Sequence, residues 1–254
     1  MFGFLKKQRD TAKKVEAFNQ GLSSLKVSKS LAENVETMKQ LFQDVDIMKY
    51  RFVSKDGEDA YFIAFSDGMV NSAIVNDSIV RPLTLAARPP KGEDLVKRLT
   101  LEVVQINECE LVGDFKKIVG SVTYGDTVLF ADGSKEAAIL NTKGFPIRAV
   151  AEPDSEKTLS GPREGFNESL MQGLSMLRRR ARTNDFKIRQ MSFGSRTETA
   201  VAVCYFDSIV NRPALRELLR RLEKIDIDGV LDSNYLVELI RDHRYSPFRT
   251  IGYT

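Results

Sequence analysis

Leu31, Val35, Met38 and Phe42 follow one another at spacings of four, three and four residues, the stripe of an amphipathic helix. Ser30 stands at its start with Glu33 three residues on, the capping-box spacing, so a helix is predicted to open at residue 31. The period then changes. Tyr61, Ile63 and Phe65 alternate, and Asp56-Gly57 interrupts the run from 49 to 66, which predicts a β-hairpin. Residues 69–80 return to helical spacing, with Pro82 expected to limit any continuation. Residues 88–92 (Arg-Pro-Pro-Lys-Gly) read as a loop, 93–100 as a short helix, and Val103, Val104 and Ile106 as a short strand.

Residues 110–120 are predicted to be helical, and 126–131 with 135–142 to form a second hairpin around Asp132-Gly133. A helix over 163–182 then precedes strands near 186–193 and 199–206, joined by residues 194–198. Leu215, Leu218, Leu219 and Leu222 mark another helix, opened by Asn211 and Pro213, and a last helix runs from Ser233 to Asp242. Helix followed by hairpin thus recurs three times, without sequence identity between the copies. The expected class is mixed α/β (α+β), with two small lobes, each of helices packed on a short mixed sheet containing β-hairpins. The polar, turn-rich stretch 152–162 is the expected boundary. The expected partition is a basic tail (1–30), a first lobe (31–152), a linker (153–162) and a second lobe (163–254).

Composition narrows the picture. At 254 residues and 42% apolar, the chain can bury a core without metal or disulfide staples. The longest runs without a charge are nine residues (17–25, 68–76 and 169–177), far short of the about twenty apolar residues a membrane-spanning helix needs. The net charge of +3 is unevenly placed. Residues 1–30 carry seven Lys or Arg against two acids, whereas 31–153 carry 14 against 19. The start, Met1 to Lys7, has its apolar and basic residues in the wrong order for a secretory signal. It reads as a solvated tail, with contact to an anionic membrane surface as the sharper alternative.

The chemistry-bearing residues are few. Cys109 and Cys204 sit far apart in apolar contexts and are expected to be buried and reduced, and His243 is the single histidine. No phosphate loop, dinucleotide fingerprint, HExxH or GxSxG motif is present. Asp226-Ile227-Asp228-Gly229 superficially suggests a calcium loop, but the ligand positions that follow fall on Val230, Leu231 and Val237, so a turn is the better account. Arg178-Arg179-Arg180-Ala181-Arg182 closes the helix over 163–182, where cations face the negative end of the helix dipole. Nucleic acid is not expected, because no aromatic-rich or zinc-finger pattern accompanies these arginines. At the start of the same helix Pro162 suits the first turn, and Phe166, Leu170, Leu174 and Leu177 form an apolar stripe. A helix N-terminus beside Arg163 could bind a carboxylate, although packing between lobes explains it more simply.

Gly161-Pro162-Arg163-Glu164-Gly165-Phe166, then Leu177-Arg178-Arg179-Arg180, then Ile225-Asp226-Ile227-Asp228-Gly229 stand in an order and spacing that resemble the GerA family, the A subunits of spore germinant receptors. Glu152-Pro153, Glu168 and Ser246-Pro247-Phe248 add to the resemblance, which covers residues 31–254. Ser160, Gly173 and Arg249 depart from the family's usual residues. The resemblance implies a domain that lies on the spore-core side of the inner membrane, ahead of membrane-spanning helices beyond Thr254. It implies B and C subunits and other A subunits as partners, and nutrient-triggered germination as the process. On that footing the chain is expected to be a non-enzymatic signalling domain with no cofactor and no metal. Gly161, Pro162, Gly165, Phe166, Arg178, Arg179, Arg180, Asp226, Asp228 and Gly229 are its expected interface or structural residues. The alternative is a module that binds a small nutrient or ion between the lobes, through Arg163 and Glu164.

Overall fold

The computed structural model describes residues 21–87, 92, 94–145, 166 and 168–242. Helix α1 (Leu31–Leu41) opens where Ser30 Oγ accepts from the Glu33 amide, and buries Leu31, Asn34 and Met38. Strands β1 (Met48–Lys55) and β2 (Glu58–Ser66) form the first hairpin. Its two-residue turn has Asp56 at φ 54° and Gly57 at φ 81°, the left-handed pair that matches the twist of the strands.

A helical run follows: α2 (Ser72–Ile74), a π-helical turn (Val75–Val80) and α3 (Arg81–Leu85). Pro82 does not end it, contrary to expectation. Proline has no N–H to offer the carbonyl four residues back, but that carbonyl, on Ser78, accepts instead from the Gln105 amide at 3.0 Å. Helix α4 (Leu95–Glu102) closes with both Val103 and Val104 amides on the Leu99 carbonyl, so 103–106 finish a helix and form no strand. The strand lies further on, as β3 (Cys109–Val112), and the expected helix over 110–120 is displaced to α5 (Phe115–Val122), capped by Asp114. Strands β4 (Thr127–Ala131) and β5 (Ala137–Leu140) complete a five-stranded sheet of order β1-β2-β4-β5-β3. Every pairing is antiparallel, where a mixed sheet was expected.

The sheet is covered on both faces, which explains why β4 and β5 are buried throughout and show no alternation. Phe62, Ala64, Val128 and Phe130 face α1 and α5 in one core, with Met38, Phe42 and Phe115. Tyr61, Ile63 and Leu129 face Ile79, Leu83, Leu95 and Leu99 in the other. Tyr50, Phe62, Phe130 and Phe115 form a continuous ladder with successive ring centroids 5.8, 5.8 and 6.0 Å apart.

Helix α6 (Leu170–Arg180) is capped by Ser169 and leads to strands β6 (Phe186–Phe193) and β7 (Thr199–Phe206), a separate two-stranded sheet. Helices α7 (Arg212–Leu222) and α8 (Ser233–Ile240) follow. Asn211 caps α7, and Asp232 caps α8, which opens at Ser233 as expected but ends at Ile240. Phe193, Leu222, Val230 and Leu236 make a third, smaller core. Leu174, Phe186 and Ile188 instead pack into the core of α1 and α5. β6 is also tied to the segment after α1: the Ile188 amide donates to Asp44, and the Asp46 amide to Ile188, both at 2.9 Å. The Gln190 amide donates to Asp46 Oδ2 at 2.6 Å.

Candidate functional site

The C-terminal end of α6 gathers the arginines that the sequence singled out, and each does something different. Leu174 and Arg178 are four residues apart and share one face of the helix, so Arg178 occupies a core position. Its side chain is only 1% exposed. Nη1 donates to the Thr183 carbonyl at 2.9 Å, and the guanidinium lies 5.2 Å from the Phe186 ring centroid. Among the described residues Nε and Nη2 have no acceptor, and both are buried. Burial pushes the Arg178 pKa down to about 10. Burial also pushes the neighbouring Cys204 thiol up, against the pull of the Arg178 charge.

Arg179, half-buried, and Arg182, exposed, lie over aromatic rings. The Arg179 guanidinium sits 5.5 Å from the Phe145 centroid, and that of Arg182 only 3.4 Å from the Tyr124 centroid. Tyr124 and Phe145 are themselves in contact, at 5.7 Å, and Lys143 lies 5.5 Å from the Tyr124 ring. Such cation–ring contacts are worth about 0.5–1 kcal/mol at exposed sites and more where water is excluded. Lys143 is ion-paired with Asp126; burial raises the Asp126 carboxyl, and the lysine opposes that rise. Arg180 and Arg182 line a recess of about 420 Å³ together with Leu177, Ala181, Thr183, Phe186 and Phe206.

The ground on which these rings stand is tightly built. The Asn71 amide donates to Thr142 at 2.7 Å and the Gly144 amide to Met69 at 3.0 Å. Gly125 has φ 103°, and a Cβ there would fall 2.7 Å from the Met69 carbonyl oxygen, so no other residue fits without a backbone shift. At the near end of α6, Met171 lies over Gly68, and the Phe166 ring packs against Gly173 although Phe166 is half exposed.

Gly161, Pro162, Arg163, Glu164 and Gly165 lie outside the described residues, as does His243. The helix expected over 163–182 is shorter, Leu170–Arg180: Ser169 Oγ accepts from the Gln172 amide and starts it there, and the described residues 166, 168 and 169 before it are not helical. Asp226, Asp228 and Gly229 are not brought to the arginines of α6; Asp228 and Gly229, with Ile227, pack against the β6–β7 turn. Ser195 donates its amide to Ile227, and Arg196 to Asp228, both at 2.9 Å. The Thr197 methyl would sit 2.8 Å from a Cβ on Gly229. Among the described residues no three His, Cys, Asp or Glu side chains are grouped to hold a metal ion. Cys109 is exposed, not buried as expected, because it opens the edge strand β3; Cys204 is half-buried, and both thiols are free.

The sequence pointed to the arginine run but not to its division of labour. Extending the stripe Leu170, Leu174 by four residues lands on Arg178, and that was the available signal for its burial. Nothing in the spacing announces Tyr124, Lys143 and Phe145 as the partners of Arg179 and Arg182, because those contacts join segments distant in sequence.

The fold defines the class first. It is similar to the N-terminal domain of the A subunit of the Bacillus megaterium spore germinant receptor GerK3, with a TM-score of 0.65 at 22% identity, covering 89% of this chain and 84% of that one. The family follows from sequence. The description "Bacillus/Clostridium GerA spore germination protein" fits residues 34–254, and the chain belongs to that family. Among curated relatives from Bacillus subtilis it is 32% identical over 228 residues to the membrane protein YfkQ and 30% identical over 231 residues to spore germination protein KA. Each match covers 90% of this chain, but only 44% and 42% of those proteins, so the chain spans less than half their length. Among the described residues no helix is long and apolar enough to cross a membrane.

Proposed function

We propose that this chain is the N-terminal domain of a germinant-receptor A subunit and that it passes state changes between subunits to a membrane domain during nutrient-triggered germination. B and C subunits and other A subunits are its partners in this reading, the spore inner membrane is its location, and the domain faces the spore core. Its role is non-enzymatic. The division into a first lobe over 31–152 and a second over 163–254 is part of the same proposal.

One observation carries the reading. Arg179, on α6, and Arg182, just beyond its end, lie over Phe145 and Tyr124, which belong to the five-stranded half of the chain. The two halves are therefore joined through stacked, partly exposed cations, and not only through apolar core. Such contacts can be broken and remade at modest cost, which suits an element that must report a change of state. The test is the double substitution Arg179→Ala with Arg182→Ala in the complete protein, assayed in spores. Slowed germination at unchanged receptor level supports the reading; normal germination refutes it.

A further inference from the structure

β7 stands apart from the other strands. It carries no charged side chain from Thr199 to Phe206, and none of its eight residues is buried, whereas the likewise uncharged β4 and β5 are buried throughout. Its side chains do have seats: Ala202 and Cys204 pack against the core of α1 and α5, and Val201 and Val203 against the third core. What remains open is the edge. Ile188 spends its amide and carbonyl on Asp44 and Asp46, on the side of β6 away from β7. Its cross-strand partner Cys204 therefore belongs to a non-hydrogen-bonded pair, and Ala200, Ala202 and Cys204 all direct N–H and C=O outward. Among the described residues no strand or backbone group meets them there.

The other edges are protected in the ways that keep strands of separate molecules apart. β1 carries Lys49, Arg51 and Lys55, β3 is only four residues long and carries Glu110, and the outer side of β6 is taken by residues 44–46. β7 has neither lysine nor proline, and its register with β6 is unbroken from Phe186–Phe206 to Phe193–Thr199. A two-stranded sheet is also marginal by itself, and further strands strengthen it.

We propose that β7 is a dimer edge: β7 of a second copy of this chain pairs with it, antiparallel, about a two-fold axis at Ala202. Self-complementarity names the occupant. Only this register sets Ala202 against its own counterpart and Ala200 against Cys204 in both directions, so that every outward N–H and C=O of these residues finds a partner. It also sets Glu198 opposite Phe206 and Asp207 opposite Thr197, so the acids that flank the strand do not face each other. A continuous four-stranded sheet, β6-β7-β7-β6, then crosses the pair. The partner, another A subunit, is that of the assembly reading above, on which this rests; the edge at which copies meet is new.

Sedimentation equilibrium of the 254-residue chain under reducing conditions, from micromolar to millimolar, measures the assembly. A reversible monomer–dimer equilibrium within that range is expected, as suits a small edge-to-edge contact. Ala202→Pro removes an N–H that only the second copy uses and leaves the β6 ladder intact. It should raise the dissociation constant by about tenfold or more, with far-UV circular dichroism unchanged. In a Cys109→Ser, Cys204→Ser background, oxidation should cross-link Ala202→Cys between copies, because that position lies opposite its own counterpart at a spacing a disulfide spans. Ala200→Cys, at the more exposed position, should not cross-link, since it faces residue 204 of the other copy. A chain monomeric at every concentration, a dimer undiminished by Ala202→Pro, growth beyond a dimer, or cross-linking at Ala200→Cys as fast as at Ala202→Cys would overturn the proposal. Should Ala202→Pro fail to fold, the two cross-linking variants decide. Each of these can fail while germination still depends on Arg179 and Arg182, so the dimer edge and the assembly reading are refuted by different results.

Discussion

Replacing Arg178 with methionine removes a buried charge while nearly preserving side-chain volume, and the domain should become more stable. The guanidinium is 1% exposed and has one hydrogen bond, and its pKa falls to about 10. Against an ordinary value above 12, that fall corresponds to roughly 3 kcal/mol by which burial disfavours the charged form. At pH 7 the group is still charged, so the folded state bears this cost in full. The substitution relieves it but leaves the Thr183 carbonyl without its donor, a loss of about 1 kcal/mol. It also forfeits the stacking on Phe186, about another 0.5–1 kcal/mol. The net expectation is a gain of about 1–1.5 kcal/mol, or a rise in Tm of roughly 2–6 °C for a chain of this size. Urea unfolding and calorimetry at pH 7 measure both. A loss of more than about 1 kcal/mol would refute the reasoning, since truncating one member of a satisfied buried pair destabilises strongly.

Gly125→Ala combines a left-handed backbone with a clash on the Met69 carbonyl, and should cost at least about 1–3 kcal/mol in urea unfolding. Burial pushes the Tyr50 phenol up to about 12. The folded state thus keeps a proton that the unfolded chain releases near pH 10, and stability falls between about pH 10 and 12 by roughly 1 kcal/mol once solvent screening of the partly exposed ring is allowed for. Tyr50→Phe should lose that much less over the same range, measured by urea unfolding at each pH. A double-mutant cycle on Arg182→Ala and Tyr124→Leu should show a coupling of about 0.5–1 kcal/mol, and additivity would remove the stack from the account.

Where local chemistry decides structure, the sequence was readable. The Asp56-Gly57 turn, the Ser30 and Asn211 caps and the β6–β7 hairpin all sit where their signals place them. Where distant segments decide, it was not. The run past Pro82 holds because Gln105 supplies the donor that Ser78 would otherwise lack. Val103 to Ile106 have strand-like side chains, yet α4 claims two of their amides, and the strand forms at Cys109 where β5 offers an open edge. The same division governs the candidate site. A run of arginines at a helix end was visible, but whether each is buried, stacked or lining a recess depends on Phe186, Phe145 and Tyr124, which only folding brings near.

The central claim is that the stacked arginines at the C-terminal end of α6 and just beyond it carry a change of state between the two halves of the domain. Spores carrying the complete protein with Arg179→Ala and Arg182→Ala test it most directly, with receptor level fixed by immunodetection and germination followed after a nutrient mixture that triggers the parent. Germination slowed several-fold at parental receptor level is the predicted result. Parental kinetics in the double variant would contradict the account.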